Sequence, residues 1–246
     1  MATEATLITG ASSDIGCAVA RSLLSRPDGP VVLAHSFSSR DRLLPLQTEF
    51  GNKLQLLQSD FSQRSSVEAM AEQIASEYGT PAEIIHLPAL RLTYERFTKF
   101  NWDRFEADMA IQVESAVILL QKFLPKMVKL PRARVLFVLS SVVHGVPPKF
   151  MSMYTMIKYM QLGLMRSLAA EYASSTVRIN AISPSMVETR FLQEIADVAV
   201  QMSASANPQG RNATPADLLG AIEFLLSPAS DFVHGIDIPI AAGSVV

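Results

Sequence analysis

The chain has 246 residues, of which 49% are hydrophobic and 18% charged, with a net charge of −2 and an isoelectric point near 6.1. This balance argues against electrostatic capture of nucleic acid or of an anionic membrane, and the length suffices for a large core without disulfides or metal ions. No apolar run approaches the roughly 18 residues of a membrane span, and residues 1–6 contain no export signal. We therefore expect a cytoplasmic protein with a single domain over residues 1–246 and no metal site.

Short β-rich runs alternate with longer amphipathic runs along the chain. The first run, residues 6–9, ends in a tight turn at Gly10, and apolar residues at helical spacing follow it. Six more strands are predicted at 31–34, 54–58, 83–87, 135–139, 177–182 and 236–240, and helices at 40–50, 65–78, 105–129, 154–172 and 215–226. This alternation is typical of a doubly wound α/β fold, whose parallel strands are covered by helices on both faces.

Two longer segments are predicted to be irregular. Residues 142–152 and 184–214 follow strands on the side where open α/β sheets bind ligands, so we expect substrate contacts from the first. For the second, which includes a helical stretch, a lid and a plain surface loop are equal alternatives. The apolar residues that indicate an adaptable pocket here, with core packing as the alternative, are Phe150, Met151, Met153, Met186 and Phe191.

Tyr154 and Lys158 stand four positions apart at the start of a predicted helix, which places both side chains on one face. A lysine ammonium beside a phenol favours the phenolate and lowers the phenol pKa, so this tyrosine becomes a usable proton donor or acceptor near neutral pH. An ordinary amphipathic helix often carries the same pair. Ser141, which ends the fifth strand thirteen positions before Tyr154, favours the catalytic interpretation.

The motifs around these residues resemble those of the short-chain dehydrogenase/reductase family. The family has a serine after the fifth strand and a Y-x-x-x-K motif, matched by LSS at 139–141 and YTMIK at 154–158. Further matches run in order along nearly the whole chain: TGASSDIG from residue 9, SDF from 59, LPKM from 124, VRINAISP from 177 and HGIDIPIAAG from 234.

The resemblance implies a Rossmann-type fold and an NAD(P)H-dependent enzyme that reduces a ketone or oxidises a secondary alcohol. Tyr154 would exchange the proton with the substrate oxygen, Ser141 would hold that oxygen, and Lys158 would lower the phenol pKa and bind the nicotinamide ribose. Gln112 stands where the family has an asparagine linked to the lysine through water, and completes the catalytic set. The predicted cofactor-binding residues are Gly10, Ser12, Ser13, Asp14, Ile15, Gly16, Ser36, Asp60, Phe61, Tyr154, Lys158, Pro184, Val187 and Thr189.

Asp14 departs from the family's phosphate loop. It stands at the middle glycine, where backbone usually lies close to the pyrophosphate. An ionised side chain aimed inward would repel a phosphate by roughly a few kcal/mol at a partly screened site. Because aspartate is a preferred N-cap residue and the rest of the loop is intact, we expect Asp14 to turn outward and cap the first helix.

Other departures follow the fourth and sixth strands. HLPAL at 86–90 replaces the family's N-N-A-G, and PSM at 184–186 replaces its P-G. His86 is expected to be structural, because a catalytic histidine needs a partner in a cleft. Arg91 is expected to be solvated, with an anionic substrate or phosphate as the alternative partner. Cys17 is expected to be a small buried thiol without chemistry.

The second strand closes without the acidic residue that selects NAD in such folds. Ser36, Ser38 and Arg40 offer groups for a 2′-phosphate instead, so the sequence favours NADP(H) over NAD(H). Asp60, after the third strand, resembles the family's adenine-contacting acid, with a turn-capping aspartate as the alternative.

The expected partner is a small-molecule carbonyl or alcohol substrate. A basic cluster would suit an acyl group delivered by an acidic carrier protein, although helix C-termini also collect basic residues for their own dipole; its members are Lys126, Lys129, Arg132 and Arg134. The resemblance further implies a homodimer or homotetramer through the helices at 105–129 and 154–172. Two alternatives remain open: a cofactor-independent isomerase or dehydratase on the same residues, and a non-catalytic binding protein.

Overall fold

A computed structural model describes residues 5–244. Residues 1–4, which belong to the segment where we predict no export signal, and residues 245–246 lie outside the described part. Seven parallel strands form one sheet in the order β3-β2-β1-β4-β5-β6-β7, as expected for the predicted Rossmann-type fold. The strands are β1 Ala5–Thr9, β2 Val31–Ser36, β3 Leu54–Gln58, β4 Glu83–His86, β5 Ala133–Val138, β6 Val177–Pro184 and β7 Asp237–Ile240.

Eight α-helices occur within residues 5–244, and none of them has the length and apolar character to cross a membrane. They are α1 Asp14–Leu24, α2 Leu44–Phe50, α3 Arg64–Glu77, α4 Trp102–Met109, α5 Ser115–Met127, α6 Ser152–Glu171, α7 Asp197–Ala206 and α8 Pro215–Leu226.

Two predicted helices differ from the structure by more than two residues or in their continuity, and two others, at 65–78 and 154–172, differ by one or two residues. The long helix predicted at 105–129 consists of α4 and α5, which are joined without a break by the π-helical turn Ala110–Glu114. The helix predicted at 40–50 begins only at Leu44, because a 3-10 turn, Arg40–Arg42, precedes it. Helix α7 accounts for the helical stretch expected within 184–214.

Alternate residues of each strand face opposite layers of helices. On β1, Leu7 packs with side chains of α3, α5 and α6, whereas Ile8 packs with those of α1, α2 and α8. On β5, Phe137 packs in the same layer as Leu7, and Leu136 packs in the same layer as Ile8. Each such side chain, when fully buried, contributes about 1.5–3 kcal/mol. Because helices cover both faces of the sheet, the strands appear in the sequence as short apolar runs.

The strand order reverses between β1 and β4, which opens a crevice at the carboxyl ends of these strands. Gly10 follows β1 at this edge, Ser140 follows β5, and Pro184 ends β6. The sheet thereby brings the predicted cofactor loop and the predicted catalytic segment to the same edge.

Candidate active site

The passage from β1 into α1 leaves no room for side chains at Gly10 in the loop or at Gly16 in the first turn of the helix. Gly10 has a φ of +72°, and a Cβ there would lie 3.2 Å from the backbone nitrogen of Pro88. At Gly16 a Cβ would come within 2.7 Å of backbone atoms of Ala11 and Gly10. The first turn of α1 therefore packs directly against the end of β1 and presents its amides at the crevice, where the first helical amides have no intrahelical acceptor.

Ser13 caps α1, and Asp14 is the first helical residue. The Ser13 hydroxyl accepts a hydrogen bond from the Gly16 amide at 3.0 Å. The capping role predicted for Asp14 is therefore wrong, because the preceding serine already supplies the N-cap oxygen.

The Asp14 carboxylate is held between two arginines from different loops. Arg42 Nη2 donates to Oδ1 at 2.5 Å, and the backbone amide of Arg190 donates to Oδ2 at 2.9 Å. Both guanidinium groups also donate to the carbonyl oxygen of Ser12, at 2.6 Å from Arg42 and 3.4 Å from Arg190. Asp14 thus ties the phosphate loop to the turn after β2 and to the loop after β6.

The charges around Asp14 leave the loop suited to an anion. Burial acts to raise the pKa of the Asp14 carboxyl, but the hydrogen bonds and charges of Arg190 and Arg42 together lower it. The single negative charge therefore faces two positive charges. One net positive charge remains beside the N-terminus of α1, whose dipole also favours an anion. These residues fit a phosphate group of a dinucleotide despite the acid in the loop.

Five other residues predicted to contact the cofactor lie at the end of β2 or in the turns after β2 and β3. The Asp60 Oδ1 accepts hydrogen bonds from the amide and the hydroxyl of Ser62, at 2.9 and 2.7 Å, which is the turn-capping alternative. Phe61 is buried and stacks on His35 with ring centroids 3.8 Å apart. Ser36 is buried, and its hydroxyl has no hydrogen-bond partner within residues 5–244. Arg40 is exposed, as is Ser38.

The loop after β6 reaches the phosphate loop through Arg190. Pro184 and Val187 are buried, and the Thr189 hydroxyl donates to the Val187 carbonyl at 3.2 Å. Because the next residue contacts both Ser12 and Asp14, this segment lies beside the predicted cofactor loop.

Tyr154 lies in the first turn of α6 and is half-buried. Desolvation raises the pKa of Tyr154 to about 12; a hydrogen bond from the Ser140 hydroxyl acts to lower it, and the charge of Asp108 acts to raise it further. Ser140 Oγ also accepts the Val142 amide at 3.4 Å, which leaves its proton for the phenol oxygen. The phenol is therefore protonated at neutral pH.

The structure places Ser140 at the phenol, one position before the motif serine. Ser141 begins the short turn Ser141–Val143 and is half-buried. Its hydroxyl forms no hydrogen bond with the part of the chain that the structure describes. Ser141 is therefore free to bind a ligand oxygen, while Ser140 is engaged with Tyr154.

Lys158 is buried one turn after Tyr154, with Nζ 5.7 Å from the centroid of the tyrosine ring. Nζ donates to the Val138 carbonyl at 3.2 Å and to Gln161 Oε1 at 3.0 Å. Burial lowers the pKa of Lys158 to about 8, against the attraction of Asp108. The pKa of Tyr154 lies above its ordinary value because desolvation of the phenol is the largest effect, and the lowering of this pKa by Lys158 stays a prediction.

Gln112 connects the lysine to a buried polar network. Its backbone carbonyl accepts hydrogen bonds from His86 Nε2 at 2.8 Å and from Gln161 Nε2 at 3.0 Å. Its side-chain Nε2 donates to Asp108 at 2.6 Å, and its Oε1 is buried without a partner in the described residues. Gln112 lies in the π-helical turn, where the helical hydrogen-bond ladder is interrupted. The Gln161 side chain thus links this π-helical turn to Lys158.

His86 is buried with both ring nitrogens bonded. Nε2 donates to the Gln112 carbonyl, so Nδ1 is the acceptor for the Thr9 hydroxyl at 2.9 Å. Burial lowers the pKa of His86 to about 3. In the same way, His35 accepts the Gly10 amide through Nδ1 at 3.1 Å, and burial lowers its pKa to about 4. Both rings are neutral parts of the core, which supports the structural interpretation of His86.

These histidines predict a loss of stability in acid. The unfolded chain protonates them below about pH 6.5, but the folded chain does not until far lower pH, so stability falls as pH falls from about 6.5. At pH 5 the cost is about 2 kcal/mol for His86. When the pH is lowered from 7 to 5, the free energy of unfolding should fall by about 2 kcal/mol less in His86→Gln than in the wild-type protein. Urea denaturation at the two pH values measures this difference. An equal loss in both proteins would contradict the neutral, buried state.

A cleft beside Tyr154 is formed by the loop after β4, by α4 and by the loop before α6. The predicted pocket residues Phe150, Met151 and Met153 line it, and the Phe191 ring lies 6.2 Å from that of Tyr154. Met186 packs against the core instead.

The same cleft contains charged residues, two of which the sequence analysis did not consider. Asp108, Arg91 and Arg104 all line it. Asp108 occupies the buried face of α4, three residues after Phe105 and four before Gln112. That spacing is the signal in the sequence that points to this acid, because apolar or engaged side chains are expected on such a face. Among residues 5–244, no three His, Cys, Asp or Glu side chains are grouped as a metal site.

One member of the basic cluster that we predict as a site for a carrier protein, Arg134, does not lie on the surface. This side chain is buried within β5, where it pairs with Asp231 and donates to the Ala133 carbonyl at 3.0 Å. Arg132 donates to the Leu226 carbonyl at 3.1 Å. Both arginines donate to main-chain carbonyls near the amino-terminal end of β5. The candidate active site lies at the other end of this strand.

Comparisons with known proteins match this chain over nearly its whole length. A family model described as Enoyl-(Acyl carrier protein) reductase matches residues 10–244. The 3-oxoacyl-[acyl-carrier-protein] reductase of Thermotoga maritima is 26% identical over 245 residues, which cover 98% of this chain and 97% of the relative.

Two solved structures show the same fold. A 3-ketoacyl-(acyl-carrier-protein) reductase from Brucella melitensis complexed with NADH has a TM-score of 0.87 and 21% identity, covering 99% of this chain and 98% of its own. A gluconate 5-dehydrogenase from Burkholderia cenocepacia in complex with NADP and tartrate has a TM-score of 0.87 and 20% identity, covering 99% and 96%.

Proposed function

The chain belongs to the short-chain dehydrogenase/reductase family, and we propose that it reduces a ketone to a secondary alcohol with a nicotinamide cofactor, or catalyses the reverse reaction. The observation that carries the proposal is the Tyr154 phenol beside the Lys158 ammonium and the Ser140 hydroxyl, at the same sheet edge as the phosphate loop. The cofactor, when bound, supplies or accepts the hydride.

Tyr154 donates its proton to the substrate oxygen as negative charge develops there. Its raised pKa keeps the phenol protonated at neutral pH, which suits the reductive direction. The free hydroxyl of Ser141 binds the substrate oxygen, and Ser140 stabilises the phenolate that remains after proton transfer. Donors fixed before the reaction stabilise such charge without reorganisation.

Lys158 supplies positive charge to the same site. With its pKa at about 8, its ammonium is mostly protonated at pH 7, and two of its protons are fixed by Val138 and Gln161. Buried, it stabilises the phenolate more effectively than a solvated lysine would. In this proposal Gln112 acts through Gln161 as a positioning residue.

The cofactor is held at the crevice between β1 and β4. The first amides of α1, together with Arg42 and Arg190, bind the phosphates. NADP(H) is the preferred cofactor in this proposal, because β2 ends without an acid and the turn after it carries Arg40 and Arg42. The sequence analysis missed Arg42, which acts on the loop through Asp14.

Arg42 predicts a measurable coupling with Asp14. Replacing Arg42 with Gln removes one of the two positive charges and leaves the half-buried carboxylate to repel phosphate, so we expect NADPH to bind at least about tenfold more weakly. The double variant Arg42→Gln/Asp14→Asn should recover most of this loss, measured by nicotinamide fluorescence. Additive effects in the double variant would contradict the coupling, and a larger loss for NADPH than for NADH would support the cofactor preference.

The proposed activity is tested by incubating the protein with ketones and secondary alcohols in the presence of NADPH or NADH, and following the absorbance of the reduced nicotinamide. Substrate-dependent oxidation of NADPH, absent from an identically purified Tyr154→Phe sample, is the expected result. Conversion of a substrate without any change in the cofactor would instead favour an isomerase or a dehydratase.

A further inference from the structure

Asp108 lines the cleft beside Tyr154 and has one carboxylate oxygen without a hydrogen-bond partner among residues 5–244. The residue is only 9% exposed. Its Oδ1 accepts two hydrogen bonds, from Gln112 Nε2 at 2.6 Å and from the Leu90 amide at 3.2 Å. Its Oδ2 accepts none within residues 5–244, although Asp108 lines the cleft. A ligand that displaces water from this oxygen must supply a donor, because removal of a carboxylate oxygen from water without a hydrogen bond is costly.

The surroundings of Asp108 select the kind of donor. Two guanidinium groups line the same cleft: Arg91, which pairs with Glu194 at 3.5 Å, and Arg104, which donates to the Arg91 carbonyl. Neither forms an ion pair with Asp108. With Asp108 and Glu194, these two guanidinium groups balance the charge around the cleft, so a neutral donor such as a hydroxyl fits it.

Apart from Thr93, the remaining walls are apolar. Leu92, Phe105, Phe150 and Met151 face the cleft together with Tyr154. A ligand that fits this lining has an apolar body and few polar groups, placed to meet the phenol and the carboxylate.

We infer that Asp108 is a substrate-binding residue whose Oδ2 accepts a hydrogen bond from a hydroxyl group that the substrate carries near its reacting carbonyl. This inference rests on the proposed carbonyl reduction at Tyr154 and narrows its substrate class to hydroxy ketones and the corresponding diols. A site built to accept a hydroxyl rejects analogues that lack it, because the buried oxygen is then left without a donor.

The test uses three aromatic ketones that differ in one group beside the carbonyl. 2-Hydroxyacetophenone offers a donor, 2-methoxyacetophenone offers only an acceptor, and propiophenone offers neither. For the wild-type protein we expect kcat/KM to be at least about tenfold higher for the hydroxy ketone than for the other two, since a hydrogen bond to a charged group is strong.

The Asp108→Asn variant sharpens the test. The amide oxygen must replace Oδ1 to keep the bonds from Gln112 and Leu90, so the NH₂ group faces the cleft and an acceptor becomes a donor. We expect the hydroxy-to-methoxy ratio to fall at least about tenfold. Asp108→Leu should reduce the hydroxy-to-propiophenone ratio to near one. The matched control Glu106→Gln removes an exposed acid from the same helix and should leave both ratios at the wild-type values.

Wild-type turnover with equal kcat/KM for all three ketones, or ratios that Asp108→Asn and Asp108→Leu leave unchanged, overturns the inference and leaves the proposed reduction standing. If no ketone turns over, the proposed function fails. The dissociation constants of the same three compounds, measured by calorimetry, then test the binding role of Asp108. A preference for the hydroxy ketone that Asp108→Leu abolishes then supports the binding role of Asp108, and equal constants overturn it.

Discussion

Replacing Tyr154 with phenylalanine is expected to lower kcat for ketone reduction by about a thousandfold, within the range that a positioned general acid contributes. The variant keeps the ring and its packing against the core but loses the proton that the substrate oxygen must receive. The Ser140 hydroxyl loses its partner while it still accepts the Val142 amide, so the fold should be retained. Single-turnover kinetics and circular dichroism measure the two effects separately.

Tyr159 provides the matched control for this experiment. It lies on the same helix, is 46% exposed, and its hydroxyl donates to the Val143 carbonyl at 3.3 Å. Tyr159→Phe removes the same atom from α6 and should leave kcat near the wild-type value. Retained activity in Tyr154→Phe would refute the proposed proton transfer, and a loss of cofactor-independent activity in that variant would favour the isomerase alternative.

Replacing Lys158 with methionine is expected to lower kcat/KM by about a hundredfold. A unit charge 5.7 Å from the phenol ring, at an effective dielectric constant of 20, stabilises the phenolate by about 3 kcal/mol. Methionine fills similar space without the charge. The exposed Lys126 on α5 offers a control, because Lys126→Met makes the same chemical change away from the site and should have little effect.

The pH dependence separates this electrostatic role from a structural one. Burial lowers the pKa of Lys158 to about 8, so its positive charge is lost as pH rises through that value. For wild type we expect kcat/KM measured against the cofactor, which reports the free protein, to fall above about pH 8. Lys158→Met should lack this decline. A decline of the same size in both proteins would assign it to another group.

The sheet was predictable because its strands are buried on both faces. Apolar runs such as that around Leu136, bounded by turn residues, leave little choice but parallel strands with crossover helices. The boundary between α4 and α5 was not predictable, since a π-helical turn preserves the apolar spacing on either side of it. The start of α2 was likewise shifted by a short 3-10 turn.

Local sequence located the catalytic residues but not their contacts. Tyr154 and Lys158 follow from helical spacing, whereas the pKa of Tyr154 depends on desolvation and on Asp108, which lies far away in the chain. The engagement of Ser140 rather than Ser141 depends on the backbone after β5, where Ser140 is extended and the turn Ser141–Val143 begins. Such details are set by packing between distant segments.

The acid in the phosphate loop shows the same limit. Capping preferences at Asp14 are local, but its two arginine partners come from the turn after β2 and from the loop after β6. Only the assembled sheet brings Arg42 and Arg190 together there. Their charges reconcile an aspartate at this position with a site for phosphate.

Direct titration of the wild-type protein with NADPH, followed by nicotinamide fluorescence, tests the central claim that this chain is a nicotinamide-dependent enzyme. Because Arg42 and Arg190 compensate Asp14, the account predicts saturable binding with a dissociation constant in the micromolar range, weakened by Arg42→Gln. No saturable binding of either NADPH or NADH at millimolar concentration would contradict the account.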